Sequence, residues 1–353
     1  MKSVNIKDLQ PGMELARTVM NDDLVVILSE NTMLTKAHIT RLGFLNIPSV
    51  YIKDEYELSP NYQSVMAMFS RSNSFASEYH EVVREVENIF RATGSNGTIP
   101  MPKTSDLVRS SLTPMSKQSG ALDYLYELNH MADDLYNHSL RVAIMSGVIG
   151  KWLHMKTSEI NDLVLAGFLH DIGKTQFPER LQSRKVETMK GDDFEAYMRH
   201  TVDGAALLEK AGMPERICLV AAEHHECNDG SGFPKNLKGD EISKFAKIVA
   251  IADLYDNVTT EREGYVRQTP FTAIAKITEQ MYTKLDPEIS VVILKRIKDV
   301  FLGSTVVLNN GLTGKIVNYP HDFAEHPLVE IDKDNVINLN DYKAIKIVEY
   351  NPK

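Results

Sequence analysis

Apolar and polar positions follow two different periods along this chain, and the change of period divides it. Residues 1 to about 55 carry short strand-like runs, Leu-Val-Val-Ile-Leu at 24–28 and Ser-Val-Tyr-Ile-Lys at 49–53, around one helical stretch from Lys36 to Leu45, the pattern of a small α/β unit. A helical pattern follows from Ser64 to Ala92. Gly, Pro, Ser and Thr then concentrate in 94–106 and 113–120, as they do in linkers, and a domain boundary is expected there. From about Ala121 to Val300 the period is helical, with Leu135, Val142, Met145 and Ile149 on one face. Ser158 with Glu159 and Asp162 marks one helix start, Pro214 another, and Gly212 an end. From Ser304 to Glu349 strand-like pieces return, separated by turns at 309–311 and 332–335. The expected architecture is mainly α. A small N-terminal α/β unit with its helix and linker occupies 1–118, a helical-bundle catalytic domain 119–302, and a strand-rich segment 303–353.

Composition narrows the class. With 353 residues, 43% hydrophobic and 25% charged, the chain has the make-up of a soluble multi-domain protein. A formal net charge of -9 argues against a sequence-independent grip on duplex nucleic acid, so a phosphate-bearing substrate needs local positive charge, which bound cations supply. The first residues hold no apolar signal core and no run suits a membrane span, so a cytoplasmic location is expected. Cys218 and Cys227 are too few for a disulfide framework.

Chemistry concentrates in the helical stretch, where six of the eleven histidines fall from His138 to His225, five of them, His138, His170, His200, His224 and His225, at candidate positions. His138 lies on the apolar face of its helix with Asp134 one turn earlier, where a lone histidine would ordinarily be a hydrogen-bonded core residue. His170 and Asp171 close the intensely apolar run Leu-Val-Leu-Ala-Gly-Phe-Leu, an expensive place for ionisable groups unless a cation compensates. His200 has Gly204 one turn later, leaving space above the imidazole. His224 and His225 end a helix before a tight Gly-rich loop, and adjacent helical residues point about 100° apart, which suits a centre with two ions. Asp253 falls where the recurrence of Phe245 and Val249 calls for an apolar residue. Seven such positions are economically explained by one shared metal site. Lys174 is placed to neutralise developing charge, and Glu226 to orient an imidazole.

Asn-His-Ser at 137–139, His-Asp-Ile-Gly-Lys at 170–174, His200, His-His-Glu at 224–226, the loop Asp229, Gly230, Ser231, Gly232, Phe233, Pro234, and Ala-Ile-Ala-Asp-Leu-Tyr-Asp at 250–256 together resemble the HD-GYP family, a branch of the HD superfamily of metal-dependent phosphohydrolases. The resemblance implies that His138, His170, Asp171, His200, His224, His225 and Asp253 bind two or three iron or manganese ions, with Asp171 shared. It further implies that Asp171 and Lys174 serve catalysis, that Lys174 and Arg262 meet substrate phosphate, and that cyclic di-GMP is hydrolysed to linear pGpG, with a further step to GMP. Arg267 stands near the place of a second phosphate contact. Asp134 stands where members with three ions carry a glutamate, and Phe233 replaces the signature tyrosine. The N-terminal segment resembles the accessory domain that often precedes this catalytic unit. The loop and that unit are candidate docking places for protein partners or a second copy. Hydrolysis of another cyclic dinucleotide, or a silent cyclic di-GMP receptor, are the alternatives.

Overall fold

The structure is a computed structural model that describes residues 2–10, 13, 15–20, 26–28, 32, 34–45, 47–52, 60–128, 134–177, 181, 189–261, 267–320, 325–332 and 335–352. The chain forms two compact units, Met1–Ser74 and Phe75–Lys353.

In the first unit β1 (Lys2–Asn5) pairs antiparallel with β4 (Ser49–Ile52), and β2 (Val19–Met20) with β3 (Val26–Leu28). Alternation along β4 buries Val50 and Ile52 and exposes Ser49 and Tyr51. Helix α1 (Lys36–Phe44) starts at Thr35, whose Oγ1 accepts the His38 N–H at 3.1 Å. Val4, Leu15, Leu34, Leu42, Val50 and Ile52 supply much of a core of this unit's own. The expected small α/β unit is therefore present among the described residues.

Helix α2 (Pro60–Asn96) runs through the division. In its second half Phe75, Tyr79, Val82, Val86, Ile89 and Phe90 form a buried stripe at helical spacing. The stretch read from composition as a linker is not one. Residues 101–117 form α3 (Met101–Leu107), a π-helical turn (Val108–Leu112) and α4 (Thr113–Lys117), and Leu107, Val108, Leu112 and Met115 are buried in the main core. Pro102 stands in the first turn of α3, where no intrahelical N–H is lost, and Pro114 opens α4 directly after the π-helical turn. The buried Ser116 hydroxyl bonds its own helix, Oγ donating to the Thr113 carbonyl at 2.8 Å. The division accordingly falls after Ser74 and not near 118.

The helical body continues with α5 (Ala121–Leu128), α6 (Leu135–Trp152), α7 (Thr157–Leu169), a 3-10 turn (Ile172–Gln176), α8 (Asp192–Lys210), α9 (Glu215–Glu223), α10 (Lys244–Thr259), α11 (Pro270–Gln280) and α12 (Pro287–Phe301). Its cap signals are those expected. Glu159 accepts the Lys156 N–H at 2.9 Å at the start of α7, Pro214 is the N-cap of α9, and Gly212 takes a φ of 73° beyond the end of α8.

The last strands, β5 (Thr305–Leu308), β6 (Thr313–Asn318), β7 (Leu328–Asp332), β8 (Asn335–Asn338) and β9 (Ile347–Asn351), form one antiparallel sheet ordered β8-β7-β6-β5-β9. It is no separate domain. Val306, Leu308, Ile316, Val329 and Tyr350 belong to the same core as the helices, and the Tyr350 hydroxyl donates to Asp123 Oδ1 on α5 at 2.5 Å. No helix among the described residues is long and apolar enough to cross a membrane.

Candidate metal centre

Five helices bring the polar groups together. Helix α6 carries His138, the end of α7 carries His170 and Asp171, α8 carries His200, the end of α9 carries His224 and His225, and α10 carries Asp253. His138, His170, Asp171, His200 and His224 are all buried. Glycine sets one crossing: a Cβ on Gly173 would come within 2.0 Å of the His200 carbonyl oxygen, so only glycine lets the 3-10 turn lie against α8. Gly204 faces the backbone of Gly173 and leaves room for that turn, not for space above the His200 ring.

Asp171 stands between two groups of imidazoles. Its Oδ2 lies 3.4 Å from His170 Nε2 and 3.5 Å from His138 Nε2, and its Oδ1 lies 3.3 Å from His200 Nε2 and 3.5 Å from His224 Nε2. His138, His170 and Asp171 could hold one ion, and Asp171, His200, His224 and His225 another. Asp253 Oδ1 approaches His138 Nε2 at 3.2 Å and adds a carboxylate to the first group.

Hydrogen bonding on the far side of each ring fixes which nitrogen is bare. His170 Nδ1 donates to the Gly167 carbonyl at 2.7 Å, His200 Nδ1 to the Tyr197 carbonyl, and His224 Nδ1 to the carbonyls of Val220 and Ala221 at 3.1 Å. Their Nε2 atoms therefore present lone pairs. His200 Nε2 and His224 Nε2 face each other at 3.3 Å, and the adjacent Asp171 Oδ1 is buried with no hydrogen-bond partner. Three acceptors converge with no proton to share. Such an arrangement is repulsive unless a cation lies among them, and the nitrogen-oxygen donor set fits a divalent transition metal.

The first group is balanced differently. His138 Nδ1 donates to Asp256 Oδ2 at 2.8 Å, and Asp256 also accepts Arg141 Nε at 2.6 Å. Burial works against charge on His138, but Asp171, Asp253 and Asp256 outweigh it and hold the ring well above the usual imidazole range. Without a metal, a proton occupies the cation's place. In the second group burial lowers His200 to about 4, and burial with the neighbouring imidazoles holds His225 well below its ordinary value. Burial would raise Asp171, yet Lys174 and His170 hold its carboxyl well below the usual range. Lys174 Nζ donates to Asp171 Oδ2 at 2.5 Å.

Several expected residues have other partners. Asp134 caps α6, its Oδ1 accepting the Asn137 N–H at 2.8 Å and its Oδ2 the Asn137 side-chain amide at 2.9 Å. Among the described residues Glu226 meets no imidazole; it pins the loop, accepting the N–H groups of Lys235 at 2.6 Å and Leu237 at 2.9 Å. In that loop Asp229 accepts the Ser231 N–H at 2.9 Å, a Cβ on Gly232 would meet the His225 carbonyl at 2.4 Å, and Phe233 stacks on His225 with ring centres 4.7 Å apart. Arg267 donates to the Tyr126 carbonyl at 2.7 Å and lies over that ring. Arg262 lies outside the described residues. Sequence reasoning gave no role to Arg141, Tyr197 or Asp256. Arg141 and Asp256 stand one helical turn beyond His138 and Asp253, a spacing that marks a shared face.

A family model described as an HD domain matches residues 112–289, half of the chain. The chain belongs to the HD-domain family. Among similar proteins, a cyclic di-GMP phosphodiesterase from Pseudomonas aeruginosa is 27% identical over 233 residues, 66% of this chain and 56% of that one. A 3'3'-cGAMP-specific phosphodiesterase from Vibrio cholerae is 30% identical over 151 residues, 43% of this chain and 33% of that one. The chain thus spans about half, or less, of the length of these relatives. A solved structure of an HDG"Y"P protein from Bdellovibrio bacteriovorus shares the fold, with a TM-score of 0.52 and 16% identity over 83% of this chain and 97% of that one. The HD-domain core is the one the sequence resemblance led one to expect.

Proposed function

We propose that this HD domain is a metal-dependent phosphodiesterase acting on a cyclic dinucleotide, cyclic di-GMP foremost, opening it to a linear dinucleotide. The observation that carries the reading is the convergence of His200 Nε2, His224 Nε2 and the unpartnered Asp171 Oδ1, acceptors with no donor among them. His138, His170, Asp171 and Asp253 would hold one ion and Asp171, His200, His224 and His225 a second, with iron or manganese suited to this mixed set. Bound divalent ions supply the positive charge that acidifies water and offsets charge on phosphate oxygens. Asp171 links both groups. Lys174, held against Asp171 and over the Tyr197 ring at 5.0 Å, keeps an ammonium at the edge of the site, where it neutralises a phosphate oxygen. Arg262 and Arg267 are proposed as further phosphate contacts, and the Phe233 loop and N-terminal unit as docking places for protein partners.

The relatives act, by their names, on two cyclic dinucleotides, so cyclic GMP-AMP is the second substrate to test. Manganese- or iron-loaded protein incubated with each is expected to yield linear products by chromatography, faster with cyclic di-GMP. Intact cyclic di-GMP after hours, with both ions bound, would reject the reading.

A further inference from the structure

Tyr197 stands one turn before His200 on α8 and touches three groups of the site. Its carbonyl accepts a hydrogen bond from His200 Nδ1, its ring lies beneath the Lys174 ammonium, and its hydroxyl meets His225 Nε2 at 3.2 Å. The last contact sets His225 apart. The three other histidines around Asp171 Oδ1 or beside His170 Nε2 that bond the backbone do so through Nδ1 and leave Nε2 bare. His225 makes its side-chain hydrogen bond through Nε2, and no partner meets its Nδ1 among the described residues.

We infer that Tyr197 is a positioning residue that fixes His225 in the opposite tautomer, with Nε2–H donating to the Tyr197 oxygen and Nδ1 as the atom offered to the ion. A histidine ligand binds through the nitrogen its hydrogen bond leaves free. A neutral imidazole whose Nε2 holds the proton has its lone pair on Nδ1. The arrangement also accounts for two adjacent histidines serving one group. His224, held by the backbone of α9, reaches in through Nε2, and His225, held by Tyr197 and stacked under Phe233, is left with Nδ1 to offer. The inference rests on the metal-site reading above.

Two measurements test it. In metal-free protein, long-range proton-nitrogen correlation spectra of labelled histidines, with His225 assigned through His225→Ala, are expected to show the Nε2–H form, and Tyr197→Phe to lose that preference. The Nδ1–H form in the unaltered protein would overturn the inference. In manganese titrations Tyr197→Phe, which keeps the ring beneath Lys174, is expected to weaken one of two binding steps by about tenfold or more and leave the other unchanged. Unchanged binding would overturn it, and so would tighter binding, which would mean that the hydroxyl competes with the ion for Nε2. If the unaltered protein bound no ion, the metal-site reading would fail, while the spectra of metal-free protein would still decide the tautomer.

Discussion

The two groups of imidazoles that share Asp171 solve the same electrostatic problem in opposite ways. Around His138 three carboxylates surround one ring, Arg141 balances one of them, and a proton can stand in for a metal. Around His200 and His224 the rings are tied to helix carbonyls, the nearest carboxylate oxygen has no donor, and burial drives His200 to about 4, so a proton is a poor substitute. The first group is thus built to survive empty. The second has no such substitute.

The largest expected effect comes from removing what the groups share. Asp171→Asn should abolish tight binding at both and lower turnover by at least about 10² to 10³-fold, measured by metal content and cyclic di-GMP cleavage. Retention of one tight ion would show that the groups are independent. Next is Asp256→Asn, which acts on the His138 side alone. It removes the negative charge that His138 Nδ1 and the buried Arg141 both meet, so the unfolding free energy from urea titration should fall by about 3–5 kcal/mol and one ion should bind about 10 to 100-fold more weakly. Equal weakening of both ions would erase the contrast.

A pH series sharpens it further. His138 has a raised value in the folded, metal-free protein, so its contribution to stability is complete below its unfolded value near 6.5 and is lost as pH rises through the raised one. Chelated protein should therefore lose urea resistance as pH is raised beyond the ordinary imidazole range, while affinity for the ion at His138 rises over the same interval as the proton is displaced. Opposite slopes would place the proton elsewhere. The smallest effect is expected at Asp134. If it serves only as the cap seen here, Asp134→Ala costs about 1 kcal/mol in thermal or urea unfolding and leaves the ion count unchanged. Loss of an ion would make it a ligand.

The site was legible because its residues violate the pattern around them. His138, Asp253 and the His170–Asp171 pair occupy positions where helical period calls for apolar side chains, and such exceptions need a common cause. What the sequence could not carry was the far side of each ring. The partners of His170, His200 and His224 are backbone carbonyls, which have no letter of their own, and the partner of His225 is a tyrosine on another helix. Residues 101–117 were misjudged because Pro, Ser and Thr are common in linkers, yet in first turns and self-bonded positions they are admitted to buried helices. Strand β8 was hidden in a polar run, since an edge strand with Val336 exposed shows little alternation.

Tyr350, seated against Tyr126, Phe271 and Phe301 with its hydroxyl on Asp123, has a bearing on how the molecule is made. During synthesis the helices that bear the candidate histidines emerge first, but the aromatic cluster of Tyr126, Phe271 and Phe301 cannot be completed until residue 350 has left the ribosome. Until then the nascent helices carry an open apolar seam, and a chain interrupted before β9 would expose it to aggregation and proteolysis.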